Sequence, residues 1–192
     1  MAIRRFHGTR WLAAIALMCG GCALPPSQGF GGAPPADVRA PGPSPADAKA
    51  QEATHAFICE AAVSRILLVK MSTVAALRAS SRGVRHFAHV SADDDRRANR
   101  KLKEIAWSKD LGVCAEMDDR RALVLLALHR HVGDDFDREY LTLQVDQRRR
   151  AVQLFREHAE NGADDELRSY AQSSLPALET HLRTARVLAD SR

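Results

Sequence analysis

From residue 44 onward the apolar positions of the chain recur every three or four residues, and nowhere do they alternate. That is the helical period. A first long helix is expected from Ser44, with Ser44 as N-cap, Pro45 at the first helical position and Asp47 facing the positive end of the helix dipole. It runs to about Ala79, and "SSRG" forms the turn that follows. A second helix runs from about Gly83 to Leu111 and stops at Gly112. A shorter one covers about Asp118 to His131 and is ended by Gly133. Asp134 or Asp135 caps the next, which runs to about Asn161 with Gly162 as its C′ glycine. "ADDE" opens the last, about Asp164 to Asp190, and Pro176 inside it predicts a kink.

The four long helices carry continuous stripes. The first presents Phe57, Ala61, Ser64, Leu68, Met71 and Ala75, and the second Val84, Ala88, Ser91, Asp95, Ala98, Leu102 and Ile105. The third presents Leu141, Val145, Arg148, Val152, Phe155 and Ala159. The last presents Leu167, Ala171, Ser174, Leu178, His181, Ala185 and Leu188. Two antiparallel hairpins follow, and with them an all-α fold. The expected architecture is an up-down-up-down four-helix bundle with a short extra helix between its second and third members. Small residues on the stripes imply close helix approach.

Arg148 is out of place, because a cation falls on a core stripe. Residues 68 and 95 are equidistant from the first turn, and residues 148 and 181 from the second. At ~1.5 Å per residue these pairs lie ~20 and ~25 Å from their loops. In up-down-up-down order both loops share one end, so Leu68, Asp95, Arg148 and His181 are expected in one core layer. Burying an arginine without a partner costs several kcal/mol. The reading adopted is therefore that Asp95 pairs with Arg148 while His181 hydrogen-bonds nearby. The alternative is that Arg148 lies at the edge of its stripe and snorkels to water.

The first 43 residues read differently. Arg4, Arg5 and Arg10 precede a short apolar stretch, "WLAAIALM", followed by "CGGC". About eight apolar residues are too few to span a bilayer, which needs ~20, and the basic flank makes this an export signal. The small Gly-Gly pair before Cys22 resembles a bacterial lipoprotein cleavage site, in which the cysteine thiol is lipidated and becomes the mature N-terminus. Cys19 stands where such signals usually have Leu, and plain cleavage near Ala23 is the alternative. Ala23 after the acceptor, rather than Asp, implies the outer membrane. Reading "CGGC" as a redox motif would need a strand–helix context that the segment lacks. The Pro-, Gly- and Ala-rich stretch that follows cannot bury enough surface to order itself, and reads as a tether. The expected organisation is a signal over 1–22, a tether over 23–44 and a bundle over 45–192.

Charge and cysteines complete the picture. The chain is formally +4, but the signal takes three arginines and no acid with it, which leaves +1. Nothing in that balance suggests a nucleic-acid partner. Cys59 and Cys114 remain in the folded part, where an oxidising periplasm would permit a disulfide. The mirror of Cys59 across the first turn is near Glu104, which leaves roughly 15 Å to Cys114. Two buried thiols are therefore expected, unless the loop after Gly112 folds back.

Three segments resemble a known family: "FAHVSADDDRRANRKL", "FDREYLTLQVDQRRRAVQLF" and "SSLPALETHLRTA". They are similar to the exported helical family called domain of unknown function 4142, which is treated as ferritin-like and often described as an outer-membrane protein. The resemblance covers most of Phe57 to Leu188. It implies a Glu in the first helix and a His in each of the other long helices, a set suited to a transition metal. Here Leu68 stands for the Glu, Asp95 and Arg148 replace two of the histidines, and only His181 matches. Leu cannot ligate, and a fixed cation at Arg148 would repel a metal ion.

Other metal candidates are weak. Glu52 and His55 have the E-x-x-H spacing of a di-iron ligand pair, but such sites need a second copy and further acids, so a solvated helix face is expected. His129 and His131 near three acids read as a polar turn. "DDDRR" and "DDRR" read as solvated, capping or ion-paired apart from Asp95, and Phe136, Asp137 and Tyr140 as packing at a helix start. No nucleophile triad, phosphate loop or acid–base pair is present, and no cofactor is implied. The expectation is a non-catalytic lipoprotein of the cell envelope, anchored in the outer membrane and facing the periplasm, whose partners are the membrane and an envelope protein. The alternative is a ferritin-like metal-binding or redox protein of the periplasm, soluble if Cys22 is not acylated.

Overall fold

The computed structural model describes residues 44–192; the expected export signal, Cys22 and all of the expected tether before Ser44 lie outside the described residues. Five helices follow in order: α1 (Pro45–Arg78), α2 (Arg82–Ser108), α3 (Asp119–His129), α4 (Gly133–Asn161) and α5 (Asp165–Asp190). No strand occurs among the described residues, and none of the helices there is long and apolar enough to cross a membrane. The all-helical bundle with a short helix between two hairpins is as the periodicity predicts.

The caps follow local chemistry. Ser44 and Asp47 form a reciprocal capping box at the start of α1, which satisfies two amides that the helix leaves free. Asp118 caps α3 through the amide of Arg121, and Asp164 caps α5 through that of Leu167. At α4 the expected aspartate cap is absent. Gly133, at φ 60°, makes the entry turn, and Asp134 and Asp135 lie within the first helical turn. Gly162 is not the left-handed C′ residue expected, since its φ is −61°. Glycine is required there for space: a Cβ would lie 2.6 Å from the His158 carbonyl oxygen. Helix α5 runs on through Pro176.

The order of directions differs from the expected one. Asp137, at the start of α4, accepts hydrogen bonds from the amides of Ser80 and Ser81 in the α1–α2 turn, and Arg192, at the end of the chain, bonds the same carboxylate. At the other end Lys109, just past α2, pairs with Asp164 and Glu166 in the α4–α5 turn, and Phe57 stacks on His158. The two hairpin turns are therefore at opposite ends, and the bundle is up-down-down-up. Residues 109–132 form a crossover along its length, with α3 packed on α1 and α4. The cause is the length of this connection, which can return the chain to either end, whereas a short turn could not. The expected layer survives the reversal, because residues 68, 95, 148 and 181 all lie near mid-bundle, where inverting a hairpin leaves their height almost unchanged.

The crossover also corrects the cysteine reading. Cys59 and Cys114 form a disulfide with Cα atoms 4.7 Å apart. After Gly112 the chain folds back along α1, as the close approach of Gly112 to His55 indicates. That return removes the distance which a simple hairpin mirror leaves.

Adjacent helices in the bundle are α1 with α2, α4 with α5, α1 with α4, and α2 with α5. Two apolar clusters fill the interior. One, around Phe57, Leu102, Phe155 and Leu167, lies toward the α4–α5 turn; the other, around Met71, Phe87, Phe136 and Leu141, lies toward the α1–α2 turn. Between them is a band of polar side chains.

Candidate functional site

Asp95 is the centre of that band and is 1% exposed. Arg148, wholly buried, reaches it from the diagonal helix α4, with Nη2 donating to Oδ2 at 2.8 Å. The pairing expected from the stripes is present, and Arg148 does not snorkel to water. A second cation shares the carboxylate: Arg65 of α1, 4% exposed, donates from Nη1 to Oδ1 at 3.0 Å. Its Nε donates to Tyr170 Oη at 3.1 Å, and the Tyr170 hydroxyl donates to the carbonyl of Ala98. The Arg65 guanidinium also lies 4.8 Å from the centre of the Phe155 ring, an attractive cation–π placement.

Arg65 is the residue that sequence reasoning missed. The stripe on α1 passed through Ser64, but α1 is covered by α2, α3 and α4, so residues 61–65 are all buried. A narrow stripe understates such a face. Spacing carried the signal, because Arg65 is four residues after Ala61 and three before Leu68.

The band extends beyond the ion pairs. Arg148 Nε donates to Gln144 Oε1 at 3.0 Å, and Gln144 Nε2 donates to Ser72 Oγ at 3.0 Å. Ser72 also meets the hydroxyls of Ser91 and Tyr140, each at 3.0 Å. Burial pushes the Tyr140 phenol up to about 12, so it stays protonated. Each member thus has a polar neighbour, as burial demands, except Arg148 Nη1, which is buried with no acceptor.

His181 sits beside the band rather than on Asp95. Its Nε2 donates to Asp94 Oδ2 at 3.0 Å, since a carboxylate can only accept. Asp94, read as solvated, capping or ion-paired, is held by this bond and by Arg97. Burial and then the field of Arg148 hold the His181 pKa below its usual value, against the opposing pull of Asp95 and Asp94. Leu68 is fully buried and apolar.

This donor set does not fit a metal ion. Both oxygens of Asp95 are held by guanidinium groups, His181 is turned to Asp94, and two fixed cations occupy the centre. Among the described residues no three His, Cys, Asp or Glu side chains converge as a metal site would require. Glu52 and His55 are both exposed, and His55 Nε2 lies 3.8 Å from Cys59 Sγ, a disulfide sulfur. His129 bonds the carbonyl of Leu125, and the His131 carbonyl accepts from Arg78. The geometry can hold charge in a fixed arrangement.

The class is thus an all-helical bundle whose central layer is ionic. The chain belongs to the family described as Domain of unknown function (DUF4142), whose model matches residues 39–188. No curated protein and no solved structure matches it.

Proposed function

We propose that the protein is a non-catalytic lipoprotein of the cell envelope: a helical bundle tethered through Cys22 to the outer membrane, facing the periplasm, and working by binding or support. The observation that carries the non-catalytic, metal-free part is the occupation of the bundle centre by Arg65 and Arg148 around Asp95. Two fixed positive charges there oppose a cation. The short apolar stretch ending at Gly-Gly-Cys22, and the Pro- and Gly-rich residues before Ser44, support the anchor. The Cys59–Cys114 disulfide supports an oxidising compartment.

The test has two parts. Mass spectrometry of the N-terminus should find the chain starting at an acylated Cys22, and Cys22→Ser should move the protein from the membrane to the soluble fraction. Metal analysis of protein purified without a His-tag should find no stoichiometric iron, manganese or zinc. A second reading, a ferritin-like metal-binding or redox protein, draws support from the single long crossover, which is the connectivity of ferritin-like bundles. Stoichiometric metal that disappears in His181→Ala would favour it.

A further inference from the structure

The ionic layer does not balance. Arg65 and Arg148 bring two positive charges, and Asp95 brings one negative charge. The nearest further carboxylate, Asp94, is half-exposed and already engaged by His181 and Arg97. A surplus positive charge inside a bundle is unfavourable unless something offsets it. A water molecule could satisfy a hydrogen bond there, but it could not supply charge.

Two further observations point to a ligand. Arg148 Nη1 is buried and has no acceptor. Arg65 uses Nε and Nη1, and its Nη2 has no acceptor among the described residues. A cleft of about 300 Å³ between α2 and α5 leads from solvent to Arg65 and Asp95 of this layer; Arg148 is not part of its lining. It is lined by Arg65, Lys101, Tyr170 and Ser174, by Asp95, and by Asp94 with its partners Arg97 and His181. Both carboxylates of the lining are engaged, Asp95 by Arg65 and Arg148 and Asp94 by Arg97 and His181, which leaves Arg65, Lys101 and the hydroxyls to meet an incoming ion.

We infer that the α2–α5 cleft binds a small monovalent anion, a halide or a short carboxylate, against the free guanidinium nitrogen of Arg65 in the Arg65–Asp95–Arg148 layer. One negative charge completes the balance. This site is independent of the membrane anchor and stands whether or not Cys22 is acylated.

The test is thermal melting of the purified protein at fixed ionic strength, with chloride, bromide or formate exchanged against a bulky buffer sulfonate. A ligand that binds only the folded state at about 100 times its Kd raises the apparent folding constant about 100-fold. The midpoint should therefore climb with the small anions and not with the sulfonate. In Arg65→Met, which leaves one cation for one carboxylate, the selectivity should vanish. Should that variant not fold, bromide anomalous diffraction from crystals of the unaltered protein decides, with a peak expected within hydrogen-bond distance of Arg65. Equal midpoints in all four salts, with no bromide at the layer, would overturn the inference.

Discussion

Arg148 of α4 and Asp95 of α2 meet at 2.8 Å across the diagonal of the bundle, with neither side chain reaching solvent. The contact ties together two helices that do not otherwise pack as neighbours. Its consequence for folding is asymmetric. Removing the carboxylate strands two buried cations, so Asp95→Asn should cost about 3–5 kcal/mol in urea unfolding. A double-mutant cycle with Arg148→Met should give a coupling energy of about 0.5–3 kcal/mol. Additive effects would mean that the contact contributes nothing specific.

The disulfide gives a second expectation. Cys59 and Cys114 are 55 residues apart in sequence, and closing a loop of that size lowers the entropy of the unfolded chain by about 4 kcal/mol on the chain-entropy estimate. Reductant, or Cys59→Ser with Cys114→Ser, should lower the urea midpoint accordingly. The untreated protein should show no reactive thiol at either position in alkylation mass spectrometry.

Acid should weaken the fold through two histidines. Burial lowers the pKa of His158, stacked on Phe57, and burial with the Arg148 field lowers that of His181. For groups depressed below the unfolded value of 6.5, the unfolded chain takes up more protons. The stability they contribute is then complete above pH 6.5 and is lost as pH falls through their folded values. Melting temperature should therefore drop on acidification below 6.5, and the slope should flatten in His158→Phe with His181→Gln. A flat profile in the unaltered protein would contradict this.

Asp137 is a cap supplied from another helix. Ser81 makes no side-chain cap bond at the start of α2, and the Asp137 carboxylate takes the amides of Ser80 and Ser81 instead. Asp137→Ala removes the acceptor of both turn amides and the nearer of the two carboxylates that Arg192 meets, at an expected cost of about 0.5–2 kcal/mol, as for loss of a helix cap. Hydrogen exchange should show the loss concentrated in the α1–α2 turn.

Gly162→Ala tests the other end of the bundle. The added methyl would lie 2.6 Å from the His158 carbonyl oxygen and 2.7 Å from its Nε2, so the turn must shift. Overpacking of this kind costs about 1–3 kcal/mol. A stabilised variant would show that His158 can move aside freely.

Sequence alone determined whatever rests on local periodicity and capping. It placed five helices, the Ser44 cap, and Asp95 and Arg148 as partners, because a 3.6-residue period shows which positions turn inward and a buried cation demands an anion. Tertiary structure decided what depends on how separate segments share space. The crossover over residues 109–132 is long enough to end at either side of the bundle, and only packing chose the reversed second hairpin. The same fold-back brought Cys114 to Cys59. Arg65 entered the central layer because three helices cover α1, and His181 found Asp94 rather than Asp95 because two guanidinium groups already held the latter. Periodicity reports the direction a side chain faces; the neighbour it meets depends on residues far away in the chain.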